Sequence, residues 1–317
     1  MKYCITLDFN NFYEDLNDVW GTKLNLPNGV VISFWNCRIK YVNSNEIHYL
    51  KVMSEQKQDI KECLLLLSFF TTIPLANFGY FFNESNEVFD ERQNNNPSVI
   101  EWNERLAEID RKMKHKANRK RRDDILSLMQ MCSNGALHEY REHEEEQFFM
   151  YFKPIERVAK LVLDKNKILG GVSRKSRKKS TKTFLEHLLL TSFNNTVFDQ
   201  VTLDELVGEL NSVLENSLDR KNHRRIVLAL SSITDNIDDS NQTKKELRRL
   251  KSNRIQQLVK IRNDIAHGNR VALTPDDLRD VEYLSRQMIT LFFFGFNFEC
   301  GYLQTKKFNN DFWSLRN

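Results

Sequence analysis

Glycine and proline, the residues that most often interrupt regular structure, are scarce in this chain, with 10 glycines and 5 prolines among 317 residues. Within a helix they cost about 1 and about 3 kcal/mol respectively relative to alanine. Their scarcity therefore favours long uninterrupted helices over a turn-rich all-β fold. At this length, with 40% hydrophobic residues, the chain can bury the cores of two modest domains or of one large domain.

Residues 1–95 have the pattern of a small α+β domain. Segments rich in β-branched and aromatic residues predict strands, with a turn at Asn28-Gly29 before the second of them. A run with a broad apolar face predicts a helix that ends before Pro74. The strands are predicted at residues 1–9, 29–42, 46–52 and 78–82, the helix at 57–73 and a polar loop at 83–97.

Residues 96–147 are predicted to form a charged helical bridge. Eight Lys or Arg fall within residues 111–122, and residues 139–146 are mostly acidic. Because few apolar positions are evident, we expect an exposed helical stretch over 98–145. The basic run either contacts RNA phosphates or is a solvated face that pairs with the acidic run.

Residues 148–317 carry helical patterns almost throughout and predict an all-α bundle, so that the whole chain is α+β. Gly268 stands where a helix C-cap glycine belongs, and Thr274 with Pro275 begins a further helix. A basic loop is expected at 170–182. An apolar stripe is formed by Phe152, Ile155, Val158, Ala159 and Val162, and capping boxes by Thr202 with Glu205 and Thr243 with Glu246.

The string RNDIAHG at residues 262–268 lies at the predicted end of one of these helices. His267 is able to move protons near neutral pH, and Arg262 offers a fork of donors suited to phosphate oxygens. Asn263 and His267 share a helix face, whereas Arg262 and His267 are about 140° apart on the helix. One helix alone therefore does not aim both groups at one phosphate. The alternative is that Arg262 and His267 are ordinary helix-end residues favoured by the macrodipole.

This string resembles the signature of the HEPN ribonuclease superfamily: an arginine, a polar residue, a short spacer and a histidine. It looks most like the bacterial phage-defence and toxin branches, such as Apea-like proteins. The resemblance implies a helical domain over about 148–317 that forms a homodimer with a composite active site. It implies metal-independent endoribonuclease activity, in which the RNA 2′-OH attacks the neighbouring phosphate to leave a 2′,3′-cyclic phosphate.

The candidate catalytic residues are therefore Arg262, Asn263 and His267, with Asp264 as a supporting residue that could orient His267. Glu156, in the first helix of the bundle, is either a polar partner of the motif or an exposed charge. The expected partner is RNA, with a protein regulator as a further candidate partner. Candidate RNA-binding residues in the basic loop are Arg174, Lys175, Arg177, Lys178 and Lys179.

The predicted function is RNA cleavage in anti-phage defence by abortive infection, or as a toxin, with residues 1–95 as a sensor or regulatory domain. The alternatives are a non-catalytic HEPN-like binding or dimerisation module, or a partner of a nucleotidyltransferase. No cofactor or metal is expected, since no convincing set of metal ligands is evident. Five dispersed cysteines favour a reducing, cytoplasmic location, and we expect no membrane segment.

Overall fold

The structure is a computed structural model that describes residues 2–9, 28–43, 48–86, 97–166, 222–234 and 252–295, with single positions at 205, 209, 247 and 250. The chain divides into two compact units. The first comprises Met1–Pro154 with Ala272–Asn317, and the second comprises Ile155–Val271. The predicted α+β class is confirmed. The predicted domain limits at 95 and 147 stay predictions.

The first unit contains a five-stranded antiparallel sheet. Its strands are β1 (Lys2–Asp8), β2 (Val31–Phe34), β3 (Cys37–Asn43), β4 (His48–Ser54) and β5 (Asn83–Ser85), and their order in the sheet is β2-β3-β4-β1-β5. Along the strands, buried apolar residues such as Ile5, Ile39 and Val52 alternate with more exposed ones. This period of two residues is typical of a sheet with one buried face.

A tight hairpin divides the single strand that was predicted over 29–42. Trp35 and Asn36 both have positive φ, 54° and 56°, as a two-residue turn between twisted strands requires. Tryptophan is an uncommon choice there, since its Cβ is strained in the left-handed region. Its side chain compensates by burial: the indole N–H donates to Glu62 Oε2 at 2.8 Å, and the Arg122 guanidinium lies 4.9 Å from the ring centroid.

The strand predicted over 78–82 is also wrong, because the chain reaches the sheet one residue later. Asn83–Ser85 pair with β1, while the preceding aromatic residues are irregular. Tyr80 and Phe82 pack edge to face with their centroids 5.6 Å apart, and Phe81 is 87% exposed. Aromatic composition thus indicated a strand, whereas backbone pairing placed it in the polar residues that follow.

Helix α1 (Lys57–Thr71) forms the centre of the first unit. It is buried along nearly its whole length from Ile60 onward, because it packs on β3 and β4 and also against a later helix, α4 (Arg122–Tyr140). It ends as predicted before Pro74, with Thr72 in the left-handed conformation. Burial on more than one side explains why its sequence shows a broad apolar face.

The charged stretch is helical as predicted, but its apolar residues are buried while many of its charged residues are exposed, so the expectation of a wholly exposed stretch is corrected. It forms α2 (Pro97–Lys114), the short α3 (Lys116–Arg119) and α4. Single apolar residues three or four positions apart pack into the unit even though the residues between them are charged. The buried residues are Leu106, Ile109, Met113, Ile125, Leu128, Met129, Cys132 and Ala136.

Helix α5 (Glu144–Asn166) runs through the boundary between the two units, which falls at Pro154 within the helix. In the second unit, α6 (Asn222–Thr234) packs against α7 (Ser252–Ala266). The predicted apolar stripe of α5 is confirmed: its five members, from Phe152 to Val162, are all buried. The capping boxes predicted at Thr202 and Thr243 lie outside the described residues.

Helix α8 (Pro275–Ile289) returns to the first unit and begins with the predicted cap. The Thr274 side chain accepts from the Asp277 backbone N–H, and the Asp277 carboxylate accepts in return from the Thr274 N–H. A π-helical turn (Thr290–Phe294) follows and packs against α2. Within this part of the first unit Arg286 is fully buried.

The four described cysteines are buried free thiols, as the sequence indicated. Burial raises the pKa of Cys132 to about 11 and that of Cys63 well above its usual range, so both stay protonated and unreactive. None of the helices in the described ranges combines the length and apolar character needed to cross a bilayer.

Candidate active site

Helix α7 ends in a turn closed by backbone hydrogen bonds. The Asn269 N–H donates to the Asp264 carbonyl at 2.9 Å, and the Gly268 N–H donates to the Ile265 carbonyl at 3.0 Å. This is the Schellman pattern, which requires a left-handed residue, and Gly268 supplies it with φ of 75°. His267 is consequently the C-cap residue of the helix, and its side chain is exposed.

The sequence of α7 determines how Arg262 is placed. Ile255, Leu258 and Val259 form the buried stripe of the helix. Arg262 follows Ile255 by seven residues and Leu258 by four, so it continues this stripe at its C-terminal end. Its side chain is therefore 29% exposed, rather than projecting freely into solvent.

Arg262 is held by hydrogen bonds on two sides. Its Nη2 donates to Glu156 Oε2 at 3.1 Å, and its Nη1 donates to Asn263 Oδ1 at 3.2 Å. The other carboxylate oxygen of Glu156 accepts from the side-chain amide of Asn222. Helices α5, α6 and α7 thus each contribute to one chain of hydrogen bonds that fixes the guanidinium.

The Glu156–Arg262 pair is an ion pair in a partly buried setting, because the Glu156 side chain is 24% exposed. Charge-assisted hydrogen bonds of this kind are stronger than neutral ones, and they fix direction as well as position. The carboxylate also offsets part of the positive charge that would attract an anion. The ion pair therefore weakens the attraction of Arg262 for an anion but gives its guanidinium a defined orientation.

His267 stands apart from this chain of hydrogen bonds. Among the described residues no hydrogen bond joins its ring to Asp264, whose carboxylate instead lies 3.5 Å from the side-chain amide of Asn269. Arg262 and His267 are five residues apart, about 140° around a helix. The structure thus brings Arg262 and Asn263 together but leaves the proposed supporting role of Asp264 a prediction.

The sequence left open whether Glu156 is a partner of the motif or an exposed charge, and Asn222 was not a candidate. No local pattern marks either residue, since each acts through a helix distant in sequence. The one sequence feature that could have indicated the role of Glu156 is its position, as a charged residue beside the apolar stripe of α5. The candidate RNA-binding residues of the basic loop, Arg174, Lys175, Arg177, Lys178 and Lys179, lie outside the described residues.

Residues 155–293 match the model of a protein family described as RiboL-PSP-HEPN. The matched region begins at the residue where the second compact unit begins, and it contains Glu156, Asn222, Arg262 and His267. No curated protein and no solved structure is significantly similar to the chain.

Proposed function

We propose that this chain is an endoribonuclease that cuts RNA without a metal ion, because residues 155–293 match the model of a HEPN family. HEPN domains are generally ribonucleases, and they typically bind RNA and dimerise. The observation that carries the proposal is the placement of Arg262. It is oriented by Glu156 and Asn263 just before a helix end that presents His267 to solvent.

The proposed chemistry needs only a proton acceptor, a proton donor and a cation. One imidazole removes the proton of an RNA 2′-OH, and the resulting oxygen forms a bond to the adjacent phosphorus. The bond from phosphorus to the 5′ oxygen then breaks, and that oxygen takes a proton from a second acid. The products are a 2′,3′-cyclic phosphate and a 5′-OH. Arg262 stabilises the charge that develops on the phosphate oxygens.

A two-fold dimer supplies the second acid. Because Arg262 and His267 diverge around one helix, two copies of α7 facing each other would place two imidazoles and two guanidinium groups around one cleft. We propose this composite site as the active form. Light scattering on the purified protein is expected to give the mass of a dimer.

Cleavage in the presence of EDTA tests the proposal. Purified protein is incubated with total cellular RNA and excess EDTA, and the ends of the fragments are analysed. Fragments with 2′,3′-cyclic phosphate and 5′-OH ends are expected. If cutting instead requires added Mg²⁺ or leaves 5′-phosphate ends, the proposed chemistry is wrong. A dimer that binds RNA without cutting it would favour the alternative of a binding or dimerisation module.

The biological role that fits this activity is that of an effector in anti-phage defence or of a toxin, acting on cytoplasmic RNA. Unrestrained cutting would stop growth of the cell that makes the protein, and this distinguishes such an effector from a processing enzyme. A partner nucleotidyltransferase remains the alternative role. Induced expression in bacteria is expected to arrest growth with the wild type but not with His267→Ala.

Glu156→Ala is expected to lower kcat for RNA cleavage between about ten- and about a hundredfold, because Arg262 loses the acceptor that orients it. KM is not expected to rise, since the site also loses a negative charge that repels phosphate. Steady-state kinetics on one labelled RNA measures both values. Glu144→Ala removes an exposed carboxylate from the same helix and should change neither value. A higher KM with unchanged kcat would contradict the positioning role.

A further inference from the structure

Residues 111–122, named here the basic corner, hold an unusual share of the charge of the protein. The segment contains eight Lys or Arg and no acidic residue. The whole chain has 47 basic and 43 acidic side chains, a net charge of +4. Outside the basic corner, 39 basic residues therefore face 43 acidic ones, a net charge of −4. The positive character of this chain is thus concentrated in a short segment.

The backbone of the basic corner has a defined shape, because two of its residues anchor it in the first unit. Met113, within the corner, is buried at the end of α2. The buried side-chain amide of Asn118 donates to the carbonyls of Lys112 at 2.9 Å and Phe293 at 2.6 Å. At the far side, the Arg121 guanidinium lies 5.8 Å from the centroid of the Phe292 ring. The cations between these anchors are consequently displayed on a fixed frame.

Three of the eight cations have an acidic partner. Lys114 pairs with Asp110 at 2.7 Å, Arg111 lies 3.7 Å from Glu108, and Arg122 pairs with the Glu62 carboxylate. Lys116, Arg119 and Lys120 are exposed, and within the described ranges no salt bridge involves any of them.

The acidic run at 139–146 does not neutralise the corner either. It begins at the opposite end of α4, 17 residues along the helix from Arg122, which is about 25 Å at 1.5 Å per residue. This distance is about three times the screening length at physiological ionic strength. The alternative that the basic run pairs with this acidic run is therefore wrong.

Displaying so many like charges opposes folding through mutual repulsion. The fold itself uses the buried anchors Met113 and Asn118, whereas the exposed Lys116, Arg119 and Lys120 make no ion pair in the part of the chain that the structure describes. A surface of this kind gains free energy when a polyanion displaces its counterions. The arrangement thus suits a partner with closely spaced negative charges.

We propose that the basic corner binds the phosphate backbone of the RNA that the protein cuts. This inference rests on the proposed function, and it adds a binding surface outside the residues of the candidate active site. Contacts between lysine or arginine and phosphate carry no base specificity. The corner therefore raises the affinity for long RNA without selecting the bond that is cut.

Binding is measured first, with a catalytically disabled His267→Ala protein and a fluorescently labelled single-stranded RNA. The triple variant Lys116→Gln, Arg119→Gln, Lys120→Gln is expected to raise Kd on the order of tenfold at low salt. Its plot of log affinity against log salt should be shallower by about two, because each phosphate that is no longer neutralised lowers the slope by about 0.7. Circular dichroism establishes that the variant is folded.

A matched control removes the same number of charges elsewhere. Lys61, Arg141 and Lys160 are exposed residues on or next to other helices, and replacing all three with Gln should leave Kd and the salt slope nearly unchanged. If the two triple variants have the same Kd and the same slope, the effect is one of net charge and the proposal is overturned.

Cleavage separates this proposal from the proposed function. With His267 intact, the corner variant should cut a long RNA more slowly than the wild type but cut a dinucleotide at the same rate, since a dinucleotide is too short to span a second surface. If the corner variant and the wild type cut long RNA at the same rate, the proposal that the basic corner binds RNA is overturned. If the wild type cuts neither substrate, the proposed function fails, and the binding measurement still decides whether the corner holds RNA.

Discussion

Replacing His267 with alanine is expected to reduce RNA cleavage in EDTA by about a hundredfold or more. A positioned acid or base contributes between about 10² and about 10⁴ to a rate, and His267, exposed at the end of α7, is the proposed proton-transferring group. Initial rates on a labelled RNA measure the effect. His143→Ala, which removes an exposed imidazole from the turn before α5, should keep the wild-type rate.

Arg262 gives the companion test. Arg262→Ala should lose between about a hundredfold and about a thousandfold, as expected when a group that stabilises transition-state charge is removed. Arg262→Lys should recover only part of this loss, because lysine keeps the charge but lacks the planar fork that Glu156 and Asn263 hold. All variants are first shown to be folded and to have the same oligomeric state as the wild type. Variants that cut as fast as the wild type would show that the site assignment is wrong.

The largest expected effect on stability comes from Arg286 in α8. Its Nε donates to Glu282 Oε1 at 2.9 Å, its Nη2 to the Tyr151 hydroxyl at 3.2 Å and its Nη1 to the Phe69 carbonyl. Burial raises the pKa of Tyr151 well above its usual range, so the hydroxyl stays protonated and also donates to Glu282. Arg286→Met is expected to lower the free energy of unfolding by about 3–5 kcal/mol, because buried acceptors lose their donor.

Urea denaturation followed by circular dichroism measures this loss, and the same helix provides its control. Arg279 is 45% exposed and pairs with Asp276 at 2.8 Å, and such surface pairs contribute about 0–1 kcal/mol. Arg279→Met should therefore have a small effect. Adding Glu282→Leu to Arg286→Met should recover part of the lost stability, since the unpaired carboxylate is then gone. Equal losses for Arg286→Met and Arg279→Met would contradict this account.

The features that sequence predicted well depend on neighbouring residues. Thr274 and Pro275 begin a helix and Gly268 ends one, because caps are satisfied within a few residues of backbone. The α+β class followed in the same way from local patterns. The hairpin at Trp35 was not predictable, because the side chains that contact the tryptophan of this strained turn, Glu62 and Arg122, are distant in sequence.

The charged stretch at residues 98–145 is a second feature that the sequence did not predict correctly. In α4 the apolar residues Ile125, Leu128 and Cys132 lie at helical spacing, but the charges around them hid a face that is buried. At the candidate site the motif was visible, yet the contact of Glu156 with Arg262 spans 106 positions in the chain. The resemblance of one short string therefore selected the candidate residues, whereas the partners that orient Arg262 required the tertiary structure.

The hydrogen-bonded end of α7 at Gly268 affects how much conformational entropy would be lost if two copies of the chain assembled. The His267 N–H already donates to the Asn263 carbonyl at 3.0 Å within a single chain, so the backbone that carries the imidazole is ordered before any partner arrives. Ordering the backbone of one residue costs about 1–2 kcal/mol. Two copies meeting over this helix end would have only side-chain rotamers to restrict, and preorganisation of this kind leaves more of the contact free energy as affinity. The proposed two-fold site can therefore form by docking alone, without refolding of either helix.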